Sequence, residues 1–142
     1  FNGYTMKKQS RQEARRAAFA QIFQLDKHSD EMETMIGYML EEDPQCNDNL
    51  GYITMVVNGV NEHKEEIENA ISAHLKPGWT LPRISRVSAA AMKLAVFEMK
   101  YVDDVPPKVA INEAVEIVKI YGPEKDAGFV NGVLGAVMKE LS

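Results

Sequence analysis

The stretch "VPPKVAINEAVEIVKIYGPEKDAGFVNGVL", residues 105–134, decides the fold, because it shows how the helices of this chain begin and end. Pro107 stands at the start of a predicted helix, where a proline is tolerated because its missing N–H would be unpaired anyway. That helix ends at "YGP", residues 121–123, because glycine and proline interrupt helices. The stretch therefore predicts two consecutive helices, over 108–121 and 125–141.

The rest of the chain repeats this pattern. Apolar residues recur at helical spacing, as in Ile53, Val56, Val57 and Val60, and few segments alternate as a half-buried strand would. Helix-breaking residues separate the segments at 43–44, 76–82 and 103–107. We therefore predict an all-α fold of six to seven helices in two three-helix subdomains. The predicted helices span residues 9–27, 31–42, 48–75, 84–101, 108–121 and 125–141.

A short internal repeat supports two similar halves. The tetrapeptide "VNGV" occurs at 57–60 and again at 130–133. Its glycines, Gly59 and Gly132, lie within predicted helices, where glycine costs about 1 kcal/mol relative to alanine. We expect each of them to allow a close helix crossing. The predicted organisation is a cloning remnant at 1–5 ahead of one domain at 6–142, with subdomains at 6–76 and 82–142.

Length and composition indicate an ordinary globular domain. The chain has 142 residues, of which 45% are hydrophobic and 26% charged, enough for a core without disulfides. Cys46 is the only cysteine, which fits a reducing compartment. No apolar run approaches the roughly 18 residues that a membrane span needs. We expect a cytoplasmic protein with no membrane contact.

A basic cluster lies near the start of a chain whose net charge is −5. On an ideal helix Lys8, Arg11 and Arg15 fall within a sector of about 60°, which Phe19 and Ile22 continue. If the first turns extend beyond the core, these cations are exposed together and suit the phosphates of a nucleic acid. The alternative is a solubilising basic turn, and charge alone does not decide between the two.

Residues 26–48 have the opposite charge, with eight acidic side chains against Lys27 alone. A solvated acidic helix face is the simpler explanation. The other is a docking surface for a basic protein.

Enzymatic patterns are weak. His28, His63 and His74 lack the spacing of metal ligands, and one cysteine is too few for a zinc site. Glu113 and Glu116 form an ordinary i, i+3 pair on a solvated face. We expect no catalysis, no metal and no cofactor.

The stretch at 105–134 resembles the signature region of the NusB family of transcription antitermination factors. Segments 14–26, "ARRAAFAQIFQLD", and 86–99, "RVSAAAMKLAVFEM", are similar to the first and fourth helices of that family. The resemblance implies an all-helical protein that binds boxA, a short single-stranded RNA element, usually together with NusE, a basic small-subunit ribosomal protein. It also implies work with other Nus factors in the elongation complex, promoting read-through of terminators, notably in ribosomal RNA operons.

The resemblance also implies where RNA binds at the N-terminus. The arginine-rich motif of the family matches Arg11 and Arg15, while Gln12 stands where relatives often have a second arginine. Lys7 and Lys8 lie just upstream of this motif, and Arg16 adds a cation that relatives lack at its place. We therefore expect the RNA-binding residues of this segment to be Lys7, Lys8, Arg11, Arg15 and Arg16.

In the C-terminal half the resemblance implies that Phe129 stacks on an unpaired base. Helical spacing with Val133 and Val137 alone would instead make Phe129 a core residue. Gly128 stands where relatives commonly have a basic residue. We expect Lys125, one turn earlier, to supply the missing phosphate contact.

The sequence is also compatible with two other functions. One is a helical protein-interaction scaffold with little direct RNA contact, and the other is the RNA-binding helical domain of an RNA methyltransferase. The sequence does not decide between a monomer and a homodimer.

Overall fold

The computed structural model describes residues 8–25 and 31–142, and all regular structure within those ranges is helical. This confirms the predicted all-α class. Residues 1–7, which include the predicted remnant at 1–5 and Lys7, and residues 26–30 lie outside the described ranges. The helices are α1 Arg11–Leu25, α2 Met32–Glu42, α3 Leu50–Glu62, α4 Lys64–Ser72, α5 Arg86–Tyr101, α6 Pro107–Tyr121 and α7 Ala127–Leu141. Short 3₁₀ segments span Pro44–Asn49, Leu81–Arg83 and Glu124–Asp126.

The single helix predicted at 48–75 is instead two helices, α3 and α4, joined at His63. His63 has ψ of 22°, far from the roughly −42° of a regular helix. Backbone hydrogen bonds of 2.9 Å still link the His63 N–H to Gly59 and the Ile67 N–H to His63. The chain therefore bends at His63 without losing its helical bonding, and its imidazole stacks on Tyr101 with ring centroids 4.3 Å apart.

The chain divides into two compact units, the first ending at Asn58 and the second running from Gly59 to Ser142. The division lies within α3. The boundaries 6–76 and 82–142 stay a prediction, because compactness does not measure which segments fold on their own.

In the first unit α1 packs against α2 and the 3₁₀ turn Pro44–Asn49. Apolar residues of α1, including Ala14, Ala18 and Ile22, are buried at helical spacing. Cys46 is buried in the 3₁₀ turn, and burial raises the pKa of its thiol. The reactive thiolate is therefore disfavoured at neutral pH.

In the second unit α5 is the central helix and contacts α4, α6 and α7. Every residue from Ser88 to Glu98 is buried, as expected of a helix surrounded by other elements. The Ser85 hydroxyl caps the start of α5 by accepting a hydrogen bond from the Ser88 N–H at 3.1 Å. The ammonium group of Lys93 lies 3.1 Å from the Glu68 carboxylate on α4, which compensates the charge it brings into the core.

None of the helices among the described residues is long and apolar enough to cross a membrane.

Candidate functional site

The structure separates the basic residues of the N-terminal segment by exposure. Lys8 and Arg11 are exposed and Arg16 is half-buried. Arg15, in contrast, is buried, with only 4% of the residue exposed. The expectation that Lys8, Arg11 and Arg15 are exposed together is therefore wrong for Arg15, and Lys7 lies outside the described residues.

The burial of Arg15 follows from its place on α1. Phe19 and Ile22, one and two turns further along the same face, are buried as well. On this face of α1 burial therefore begins at Arg15, one turn before Phe19, so the three cations are not exposed together.

A capping box fixes the start of α1. The Ser10 hydroxyl accepts a hydrogen bond from the Glu13 N–H at 3.0 Å, and the Glu13 carboxylate accepts one from the Ser10 N–H at 2.9 Å. The sequence signal for this arrangement is the spacing "S-x-x-E" at 10–13. Since Arg11 is the first residue of the helix, the capping box sets where its side chain leaves the backbone.

Gln9, just before the capping box, anchors the same segment to the 3₁₀ turn Pro44–Asn49. Its N–H donates to the Asp48 carboxylate at 3.0 Å, and its side-chain amide donates to the Cys46 sulfur at 3.2 Å. The Asn49 amide donates back to the Gln9 carbonyl oxygen at 3.0 Å. These bonds hold the backbone beside Lys8 and Arg11 in one conformation.

Arg11 also has an aromatic partner, which sequence reasoning missed. Its guanidinium carbon lies 4.2 Å from the centre of the Tyr52 ring, and Tyr52 is buried in α3. The cation lies against the ring while Arg11 stays exposed, so its charge remains accessible to a phosphate.

The acidic segment is a solvated surface in its described part. The side chains of Glu31, Glu33, Glu41, Glu42, Asp43 and Asp48 are all exposed. This agrees with the simpler of the two explanations for residues 31–48, although an exposed acidic face also suits a basic partner.

Phe129, in the first turn of α7, is the second candidate region. It retains 37% of its exposure, whereas Val133 and Val137 are buried. The alternative that Phe129 is a core residue is therefore wrong. An aromatic ring at the surface of this helix is placed to contact a ligand.

Phe129 and Lys125 line one surface cavity of about 420 Å³. The 3₁₀ turn Glu124–Asp126 places Lys125 there, and Gly128 adds no charge. The other lining residues are Lys76, Trp79, Arg83, Ile84, Ser85, Pro123 and Asp126. Trp79 and Arg83 were missed by sequence reasoning, although the proline and glycine before Trp79 signal a turn that would expose it.

A third polar cluster joins α4 to the end of α5. The Tyr101 hydroxyl donates to the Glu66 carboxylate, and the Lys100 ammonium lies 3.1 Å from it. The hydrogen bond from Tyr101 is the largest single cause that lowers the pKa of Glu66, and Lys100 lowers it as well; the bond from Tyr101 also raises the pKa of Tyr101. In the described ranges, no group of three His, Cys, Asp or Glu side chains is placed to hold a metal ion.

Comparison with protein families gives a match to the NusB family over residues 12–139. The transcription antitermination protein NusB of Acetivibrio thermocellus is 43% identical over 129 residues, which cover 91% of this chain and 88% of that protein.

Solved structures give the same family. The structure of NusB from T. maritima has a TM-score of 0.81 at 32% identity, covering 94% of each chain. A crystal structure of the antitermination factors NusB and NusE in complex with double-stranded RNA matches with a TM-score of 0.80 at 30% identity, covering 92% of this chain and 96% of that chain.

Proposed function

The chain belongs to the NusB family, and we propose that it is a transcription antitermination factor that binds boxA-type single-stranded RNA together with the ribosomal protein NusE. In this role it acts in the cytoplasm with other Nus factors on the transcription elongation complex. It promotes read-through, especially of ribosomal RNA operons. Its action is binding rather than catalysis.

The surface position of Phe129 is the observation that carries this proposal. Phe129 keeps 37% of its exposure at the start of α7, so part of an apolar aromatic residue stays accessible and is suited to stack on an exposed base. Single-stranded RNA offers such bases, whereas the stacked bases of a duplex are not accessible in this way.

The cations of the first unit support an RNA ligand independently. Lys8 and Arg11 are exposed, and Arg11 is held by Tyr52. Phosphate contacts from such residues supply much of the affinity for a nucleic acid without reading its sequence. Arg15 is buried, so its proposed role is to support the helix that carries Arg11.

The exposed acidic residues of 31–48 have the sign that a basic ribosomal protein requires. A similar solved structure holds NusB with NusE and double-stranded RNA, which supports a joint complex with NusE and an RNA for this chain as well.

The test is a binding assay with a fluorescently labelled boxA-like RNA, with and without NusE, at two salt concentrations. We expect weak binding to this protein alone, tighter binding with NusE, and weaker binding at the higher salt. A matched RNA of the same length and composition but scrambled order is the control. RNA affinity of NusE that stays the same on adding this protein would refute the proposal, and NusE binding without any RNA effect would favour the scaffold function.

The chain could act as a monomer or form a homodimer, and the two differ in what they predict for RNA binding. Sedimentation of the protein with and without RNA would show whether self-association competes with RNA binding.

A further inference from the structure

Trp79, the only tryptophan of the chain, is presented at the surface by the loop between α4 and α5. It retains 52% of its exposure, although it is among the largest apolar side chains. A single exposed apolar side chain is common at protein surfaces, so the exposure of Trp79 becomes informative only through what holds it and what lies beside it.

The backbone of this loop is built to hold Trp79 in place. Residues 76–79 form a turn closed by a 3.0 Å hydrogen bond from the Trp79 N–H to the Lys76 carbonyl. Pro77 stands at the second position and Gly78 at the third, with φ of 89°. This is the pattern of a type II turn, in which proline presets one dihedral angle and glycine tolerates the positive one.

Arg83 closes the loop from its other end. Its guanidinium donates a hydrogen bond of 2.8 Å to the Gly78 carbonyl and lies 5.6 Å from the centre of the Trp79 ring. The 3₁₀ turn Leu81–Arg83 fixes the backbone from which Arg83 reaches back. The tryptophan is therefore preorganised, so less conformational entropy is lost when it binds a ligand.

Trp79 and Phe129 line the same cavity, although they lie 50 residues apart in the sequence. Its volume of about 420 Å³ is in the range of small-molecule sites. Around the two rings stand three cations, Lys76, Arg83 and Lys125, against the single carboxylate of Asp126. That carboxylate is itself held by the Ser88 hydroxyl at 3.1 Å.

We propose that this cavity binds one unpaired nucleobase of a single-stranded RNA, with Trp79 as an aromatic wall alongside Phe129. The three cations lie beside the phosphates that flank this base. The inference rests on the proposed function, which brings an RNA strand to α7, and it adds the loop at 76–83 to the binding surface. A flat apolar base with charged neighbours fits two aromatic rings rimmed by cations.

The charge of the cavity argues against the basic ribosomal partner as its occupant. Lys76, Arg83 and Lys125 would repel a basic segment, since like charges across an interface oppose binding.

The single tryptophan makes a direct test available on the unaltered protein. Intrinsic fluorescence is recorded while a boxA-like RNA is added, and binding of the same RNA, labelled at one end, is followed separately by anisotropy. We expect quenching that saturates at the same concentration as the anisotropy signal. In a series of RNAs that each lack one base, one member should lose the quenching and bind about tenfold more weakly.

The RNA affinity of Trp79 variants gives a second test. Trp79→Ala should weaken RNA binding about tenfold, while Trp79→Phe keeps a stacking ring and most of the affinity. Tyr38→Ala is the matched control, because Tyr38 is an aromatic residue of the first unit with 63% exposure. Circular dichroism shows whether each variant is folded. If a variant does not fold, the fluorescence experiment still tests the inference, because it uses the unaltered protein.

The outcomes separate this inference from the proposed function. RNA binding by anisotropy with unchanged fluorescence, and equal affinity for every abasic RNA, would overturn the cavity assignment and leave the proposed function standing. Absence of RNA binding would overturn both. Quenching by NusE in the absence of RNA would assign the cavity to a protein partner and overturn the inference.

Discussion

The ring of Phe97 on α5 occupies the space that a Cβ atom on Gly59 would need. Two atoms at the edge of the ring lie well inside van der Waals distance of that position. The absence of a side chain at Gly59 is therefore what allows Phe97 to be buried against this point of α3. The close crossing expected at Gly59 is confirmed.

The same expectation is wrong for Gly132, where nothing lies within 4 Å of an added Cβ. Gly132 is exposed on α7, so the repeated tetrapeptide has two different environments. Substituting alanine at Gly59 and at Gly132 therefore compares two effects, close packing plus helix propensity at the first position and helix propensity alone at the second.

Gly59→Ala should destabilise the protein by about 1–3 kcal/mol, because overpacking against Phe97 exceeds the gain in helix propensity. Gly132→Ala should be stabilising by about 0.5–1 kcal/mol, because propensity acts there alone. Urea unfolding of both variants measures the two free energies. Equal effects at the two positions would contradict the role assigned to Phe97.

Arg11→Gln and Arg15→Gln should affect different properties. Loss of the exposed Arg11 should lower the slope of log affinity for RNA against log salt by about 0.7, the value for one phosphate contact to a single strand. Loss of the buried Arg15, which has interactions of its own, should instead lower the free energy of unfolding by about 1–3 kcal/mol. Anisotropy across a salt series and urea unfolding measure the two effects.

A reduced salt slope in a fully stable Arg15→Gln protein would place Arg15 on the RNA and contradict this division. Arg16→Gln serves as a further comparison, because Arg16 is half-buried.

Lys125→Glu tests whether Lys125 supplies the phosphate contact that Gly128 lacks. Reversing its charge beside Phe129 should weaken RNA binding at low salt by about tenfold, and the difference should shrink as salt rises. Lys139→Glu is the control, because it makes the same charge change at an exposed position near the end of α7. Unchanged affinity of the Lys125 variant at low salt would remove this residue from the RNA surface.

Tyr101→Phe should raise the pKa of Glu66 toward its ordinary value, because the phenol hydrogen bond is the main cause of its lowering. A carboxyl whose pKa is lowered by folding stabilises the protein above its unfolded pKa and loses that effect as pH falls through the folded pKa. The stability difference between Tyr101→Phe and the unaltered protein should therefore be present at neutral pH and vanish in acid.

An NMR titration of the Glu66 carboxyl carbon measures this pKa. Lys100→Gln should shift it in the same direction, since Lys100 also lowers this pKa. If Tyr101→Phe leaves the pKa of Glu66 unchanged, the hydrogen bond is not what lowers it.

Local signals in the sequence predicted the helices well. Pro107 begins α6, and the glycine and proline after Tyr121 follow its end, as expected. The bend at His63 was missed, because the apolar spacing of α3 and α4 continues through it and no glycine or proline marks the position.

Only part of the candidate site could be predicted, because local signals in the sequence do not show which distant residues meet. The signature segment pointed to Phe129, and its exposure agrees with a binding role. Trp79 was missed, because its relation to Phe129 is not periodic: the two are brought to one cavity by a turn at one end of α5 and the start of α7.

The sequence by itself determined the helical class, most helix ends and the family, because helix periodicity, helix breakers and a long signature segment are all local in the chain. Only the tertiary structure decided which cations reach solvent and which aromatic residues share a surface. Arg11 and Arg15 look equivalent on a helical wheel, yet one is exposed over Tyr52 and the other is buried. Burial depends on what packs against a helix, and packing joins residues that are distant in the sequence.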